Sequence, residues 1–321
     1  MSALEVGYKL SSEEFGPREL VRLARRAEEA GFHFHPWTDR QGQSPFVWSV
    51  LGGIAERTER LVVGTGVTCP IIRLHPAIVA HAAATAAVML PGRFFLGVGS
   101  GENLNEHITG QRWPPVEVRQ AMMEEAVGVI RLLWQGGYRD HHGRFYTVEN
   151  ARLYTRPPEP PPIYVAAGGP RAAGLAARLG DGLVMSEMKP DVLRAFEQAG
   201  GAGKPRYVEL TVCWAPDEAQ ARRTALEAWP IAGFVGPLNQ DLTIPAHFEK
   251  VAEMVTEDRI AEVVLCGPDA GRHLEALAKH AEAGYTHVAV HQVGPDQEGF
   301  FRFYEREVLP ALARIRPRRA A

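Results

Sequence analysis

The sequence predicts an α/β chain folded as a (β/α)8 TIM barrel with insertions over its C-terminal mouth. Three observations predict it. Apolar strands and amphipathic helices alternate along 321 residues. Phe94 to Val98 is apolar on both faces, as a strand buried in a parallel sheet must be. The first strand-to-helix turn, Gly7 to Phe15, lacks the G-x-G-x-x-G of an open dinucleotide fold.

The elements follow in order. Leu4 to Tyr8 reads as a strand, and Pro17 to Ala30 repeats Leu20, Val21, Leu23, Ala24 and Ala27 on a helical period up to Gly31 as a stop. A helix from about Phe46 to Arg57 leads to a strand at Leu61 to Val67. An alanine-rich helix, Pro76 to Leu90, suits close packing on a sheet and precedes the Phe94 to Val98 strand. Arg119 to Trp134 is predicted helical through Met122, Ala126, Val129, Ile130 and Leu133. Strands at Pro161 to Ala167 and Gly182 to Met185 flank a helix starting near Pro170. Tyr207 to Cys213, Val263 to Cys266 and Thr286 to His291 are the remaining strands. Helices are expected at Glu218 to Trp229, Phe248 to Met254, His273 to Ala283 and Gly299 to Arg314. The Pro-rich segments Tyr154 to Pro162 and Trp229 to Pro245 read as insertions over the barrel mouth, so the chain is one domain over 1–321.

Composition narrows the function classes. A hydrophobic content of 45% supports a large core, and a net charge of -3 provides no basic field for nucleic acid. Cys69, Cys213 and Cys266 lie far apart in apolar settings, which points to reduced thiols in a cytoplasmic protein. No apolar run approaches the ~18 residues of a membrane span, and the first residues lack a signal-peptide pattern.

Candidate chemistry gathers at strand ends. After Phe94 to Val98 the glycines of Gly97-Val98-Gly99-Ser100-Gly101 let backbone approach a ligand, and Glu102, Asn105 and Glu106 follow at the end where barrel enzymes hold their chemistry. His33-Phe34-His35-Pro36-Trp37 offers an imidazole for proton transfer beside an indole that stacks or shields. Gly168-Gly169-Pro170 presents amides at a helix start, suited either to a phosphate or to a plain turn. His141-His142 falls in a polar turn, and no ligand set for a metal is apparent.

With these pieces placed, the chain resembles the luciferase-like superfamily. Within it the likeness is to coenzyme F420-dependent oxidoreductases related to F420-dependent glucose-6-phosphate dehydrogenase. It is carried nearly end to end by Val6-Gly7-Tyr8-Lys9, Phe15-Gly16-Pro17-Arg18-Glu19-Leu20, His33-Phe34-His35-Pro36-Trp37, Gly42-Gln43-Ser44-Pro45-Phe46, Gly64-Thr65-Gly66-Val67, Phe95 to Glu106 and Ala166-Ala167-Gly168-Gly169-Pro170. The resemblance implies a deazaflavin across the barrel mouth and hydride exchange with a substrate alcohol or aldehyde carbon. It implies His33 as base, Trp37 as stabiliser of developing charge and Glu102 as acid. It further implies a cis peptide at Gly66-Val67, cofactor contacts at Gly66, Val67, Asn105, Gly168 and Gly169, and substrate contacts at Ser186 and Lys189. A homodimer acting on a small molecule in the cytoplasm, with neither nucleic acid nor membrane as partner, completes the expectation. An FMN-dependent monooxygenase and a flavin-binding protein without turnover remain as alternative readings.

Two departures stand out. Positions where the sugar-phosphate enzymes place cations are here Asn239 and Val263, while Lys189 remains and Ser186 replaces a threonine; a phosphate dianion would lose charge-assisted bonds, so a substrate other than glucose 6-phosphate is expected. The resemblance also implies a second strand of about seven residues between Gly31 and His33, where the sequence has only Phe32. That strand is therefore expected to be missing or undefined at this point.

Overall fold

The computed structural model describes residues 4–32, 34–37, 45–234, 236 and 238–314, with backbone alone for 34–37 and 313–314. Eight strands form the barrel: β1 Glu5–Tyr8, β2 Phe34–Trp37, β3 Val62–Thr65, β4 Phe94–Val98, β5 Ile163–Ala166, β6 Gly182–Met185, β7 Arg206–Cys213 and β8 His287–Gln292. They pair in parallel in the order β1-β8-β7-β6-β5-β4-β3-β2. β1 and β2, the two ends of this ladder, pack side by side. A two-residue strand, Leu265–Cys266, runs parallel to the end of β7.

The second barrel position is thus taken by Phe34–Trp37, in register with Val62 to Thr65 of β3. This corrects the expectation of a missing strand. A barrel without it would leave the backbone groups of β3 unpaired, and the next extended segment of the chain fills that edge. His33 and 38–44 lie outside the described residues, so the His33 assignment does too. Trp37 is the last residue of β2.

Period-2 alternation sorts the strands into two surfaces. Outward residues such as Phe94, Leu96, Val98, Val208 and Val290 join the core beneath the helices. Helix Pro17–Ala30 buries Leu20, Leu23, Ala24 and Ala27 against it. Helix Pro76–Met89 presents mainly alanine and valine to the core, and its Ala80 carbonyl accepts a 3.0 Å bond from the Trp134 indole N–H. Inward, near the strand starts, Phe95, Tyr164 and Tyr207 stack at centroid separations of 4.9 to 5.5 Å and plug the lower end. Gly64 makes room for this plug: a Cβ there would stand 2.3 Å from the Phe95 ring.

Three expectations change. His141-His142 belongs to strand Arg139–His142 of an antiparallel hairpin with Thr147–Ala151, tied down by Glu125, which takes N–H bonds from Phe145 and Tyr146 and meets His141 Nε2 at 3.1 Å. Val263 ends a helix, Glu257–Val263, capped by the Thr256 hydroxyl, and does not begin a strand. The 154–162 segment leads into the start of β5, and Arg156 donates a 2.8 Å bond to the Trp134 carbonyl; the segment therefore lies at the end of the barrel opposite the mouth.

Adding a methyl at Gly64 should force the aromatic plug to move. Gly64→Ala is expected to destabilise the chain by about 1–3 kcal/mol in urea unfolding, whereas Gly168→Ala, with no atom within 4 Å of the new methyl, should change it by well under half that.

Candidate active site

The mouth is assembled by the loops that leave β1, β3, β4, β5 and β6. After β3 the Gly66-Val67 peptide is cis, as the resemblance implied. The chain then runs beside β4: Thr68 N–H donates to the Gly97 carbonyl at 2.8 Å and Gly99 N–H donates to the Thr68 carbonyl at 3.0 Å. Val67 covers the faces of Gly97 and Gly99, where Cβ atoms would lie 3.2 and 2.5 Å from its methyls. Glycine is required here by close packing.

Beyond β4, Gly101 turns the chain at φ +78, a conformation other residues resist, and a Cβ there would also strike Cys69 and Glu106. Glu102 then precedes helix Asn103–Glu106. Its carboxylate is half-buried, and Oε2 accepts from the buried Asn105 Nδ2 at 3.4 Å. Two of the candidates named from the sequence are therefore in contact. Glu106 is buried. It accepts the Arg73 N–H at 2.9 Å, and the Arg73 Nε stands 3.7 Å from its other oxygen, both side chains being almost wholly buried. This pair pins the loop after β3 to the loop after β4. Burial, and next the Glu106 carboxylate, push the nearby Cys69 thiol well up, so it stays protonated and inert.

Gly168 and Gly169 follow β5 and begin helix Pro170–Leu179; no atom lies within 4 Å of where either would carry a Cβ. The backbone at this helix start is thus open beside both glycines, and a helix N-terminus suits an anionic group of a cofactor. Lys189 reaches the Gly168 carbonyl at 3.4 Å and pairs with Glu187 at 2.5 Å, while Ser186 is exposed at the end of β6. Gly66, Val67, Glu102, Asn105, Gly168, Gly169, Ser186 and Lys189 all leave the C-terminal ends of barrel strands.

Several site residues were not singled out in the sequence. A mouth cavity of about 370 Å³ is walled by Glu13 and Glu14 after β1, Leu104 after β4, and Trp229, Phe248 and Glu249 from the segment following helix Glu218–Ala228. Of the two Pro-rich insertions, the one from Trp229 to Pro245 thus contributes Trp229, Pro230, Ile231 and Pro245 to the cavity wall. Beside Trp229 the barrel interior is polar. Lys9 Nζ bonds Glu209 Oε1 at 2.7 Å, and His291 Nδ1 approaches the same oxygen at 3.2 Å. The Trp229 ring stands edge-on to His291 with centroids 4.7 Å apart. Burial alone would raise the Glu209 carboxyl, but Lys9 and His291 outweigh it and hold the group at about 2. Glu209 carried a readable signal, an acid inside the apolar run Tyr207-Val208-Glu209-Leu210.

Two measurements test this arrangement. Arg73→Ala removes the cation beside buried Glu106 and should cost about 3–5 kcal/mol in denaturant unfolding. Because Glu209 titrates lower in the folded chain than in the unfolded one, its contribution is complete above about pH 4.5 and fades as pH falls toward 2. The stability difference between wild type and Glu209→Gln should therefore shrink over that window, by on the order of 3 kcal/mol. A difference that stays constant would refute the pairing.

Known proteins resemble the whole chain. A curated F420-dependent glucose-6-phosphate dehydrogenase of Beutenbergia cavernae is 35% identical, covering 96% of this chain and 97% of its own. That of Mycobacterium tuberculosis is 34% identical over 98% of this chain and all of its own. Among solved structures, an F420-dependent secondary alcohol dehydrogenase in complex with an F420-acetone adduct superposes with a TM-score of 0.89 at 30% identity, covering 97% of this chain and 99% of the other. A coenzyme F420-dependent tetrahydromethanopterin reductase from Methanopyrus kandleri, 21% identical, shares the fold with a TM-score of 0.81 over 97% of this chain and 100% of its own. The model of the luciferase-like monooxygenase family matches residues 2–287, and with this barrel and this mouth the chain belongs to that family.

Proposed function

We propose that the chain is an F420-dependent oxidoreductase that exchanges hydride between a substrate alcohol or carbonyl carbon and the deazaflavin. The observation that carries this reading is its end-to-end likeness, at 34 to 35% identity, to F420-dependent dehydrogenases. The mouth supports it: the cis Gly66-Val67 peptide, the paired Glu102 and Asn105, and the open Gly168-Gly169 cradle stand on adjoining loops. Gly66, Val67, Asn105, Gly168 and Gly169 would hold the cofactor, which when bound supplies a two-electron hydride carrier. Glu102, half-buried and steadied by Asn105, would hold a proton for it. His33 and Trp37 would act as base and charge stabiliser, roles that rest on the resemblance.

The substrate reading follows from charge. Among the described residues the ionisable groups on the mouth cavity, Glu13, Glu14 and Glu249, are all acidic, and the other lining side chains are apolar. Such a surface repels a phosphate dianion and suits a neutral hydroxylated molecule. Lys189 is partnered by Glu187, which weakens it as a phosphate anchor. Val263 lies half-exposed against the groove of Leu265 and Arg272 outside the barrel, far from a clamp role. Ser186 and Lys189 would instead border the substrate beside Gly168. Exposed Phe46, Ile78, Val88 and Met89 support a homodimer, and a cytoplasmic site of action suits the three free thiols. Among the described residues no helix is long and apolar enough to cross a membrane.

Incubation with oxidised F420 and a panel of secondary alcohols and sugar phosphates, followed by deazaflavin absorbance, tests the proposal. Neutral alcohols should be oxidised and glucose 6-phosphate left unchanged; oxygen consumption with reduced FMN would favour the monooxygenase reading instead. Glu102→Gln and His33→Ala should each lower turnover by roughly 100-fold, the loss expected for one proton-transfer group. Asn105→Ala should chiefly weaken cofactor affinity.

A further inference from the structure

The mouth cavity of about 370 Å³ has the space of roughly a dozen water molecules. The smallest secondary alcohols would fill only a fraction of it. One side of that space is a single face of helix Pro245–Ala252: Pro245, Phe248, Glu249 and Ala252 stand at helical spacing and all line the cavity. Leu104, Trp229 and Ile231 add further apolar surface.

Both aromatic walls are fixed. The Phe248 ring stacks on Phe234 with centroids 6.1 Å apart and planes inclined by 22°, and Phe248 and Trp229 are each less than a tenth exposed. Lys9 Nζ lies 5.9 Å over the Trp229 ring, and His291 meets that ring edge-on. A pocket with preformed walls binds without first ordering them. The carboxylates at the cavity have partners or face water. Glu14 Oε2 holds the Ser11 hydroxyl at 2.5 Å and its other oxygen accepts the Gly294 N–H at 2.8 Å; Glu13 accepts the Ser12 hydroxyl at 3.2 Å, and Glu249 is exposed. Leu104 sets the cavity against the groups assigned to the cofactor, since it lies between Glu102 and Asn105 at the short helix Asn103–Glu106.

We infer that this cavity holds a hydrocarbon substituent of the substrate, so that the chain acts on neutral alcohols, or the matching carbonyl compounds, that carry a linear or aromatic group of several carbons. The inference rests on the alcohol-oxidising reading above and adds which part of the molecule is recognised. Each methylene moved from water into such a wall gains free energy in proportion to its apolar area, while an anionic group would meet the acids. Phe248 grips the substituent. Ala252, one turn further along the same helix face, sets its reach, because a longer side chain there would occupy the cavity.

A homologous series of linear secondary alcohols, from isopropanol upward, tests this with oxidised F420 and deazaflavin absorbance. kcat/KM should rise about fourfold per added methylene and level off once the cavity is full. Ala252→Leu should move the levelling point to shorter alcohols and lower the preference for the longest over isopropanol by about tenfold, and Phe248→Ala should flatten the rise. Thermal unfolding midpoints near that of wild type identify the folded variants. A second arm needs neither cofactor nor turnover. Tryptophan fluorescence of the cofactor-free chain should change saturably with the longest alcohol, the change should vanish in Trp229→Phe, and Ala252→Leu should weaken the affinity about tenfold. A flat series, a levelling point that Ala252→Leu leaves in place, or the lack of a saturable fluorescence change would overturn the inference. Absence of turnover with every alcohol in the wild type would sink the dehydrogenase reading, and the fluorescence arm would still decide whether the cavity takes a hydrocarbon.

Discussion

A carboxylate inside a closed parallel sheet must have a cation within bonding distance, because its desolvation costs more than neighbouring apolar packing returns. Glu209 is such a group, and Lys9 at 2.7 Å is its cation. The parallel register makes the meeting possible: β8 pairs Ala289 with Glu209 of β7 and Val290 with Tyr8 of β1, so Lys9 and His291 arrive at neighbouring levels above Glu209. A shift of one residue in either ladder would turn one partner out among the helices. Fold register and site electrostatics are thus one constraint.

This constraint divides the barrel along its axis. The lower interior is closed by Phe95, Tyr164 and Tyr207, packed over glycine, and the upper interior carries the polar trio that backs the mouth cavity. Apolar closure below excludes water from one end, which strengthens the charge pairing above it. The loops that bear Glu102 and the Gly66-Val67 peptide are held by a second buried pair, Arg73 and Glu106. Rigid strand ends carrying short, pinned loops are the arrangement that keeps a proton-transfer group in place while substrates change.

Much of this was legible in the residues. Strand and helix periodicity located seven of the eight barrel strands closely, since burial on both faces writes a continuous apolar run. The mouth loop after β4 was legible because glycine at close approaches has few substitutes, and the loop after β5 because Gly168-Gly169-Pro170 marks a helix start. The second strand was misjudged: four residues with a proline make a faint signal, and its identity is set by the empty edge of β3. The Arg139–His142 hairpin strand was read as a turn because its residues are polar and its hold comes from Glu125 on the preceding helix, Val116–Trp134.

By itself the sequence determined the barrel class, the family likeness and the loops that carry Glu102, Asn105 and the glycine cradle, because local periodicity and close-packed glycine are properties of neighbours in the chain. Only the tertiary structure decided that Glu14, Ser11, His291, Glu209 and Lys9 form one polar chain, and that Trp229 and Phe248 wall the cavity with acids and apolar surface. Hydrogen-bonded partners among them lie up to 280 positions apart. Their meeting depends on strand register and on how the helices close the sheet, which no local pattern encodes.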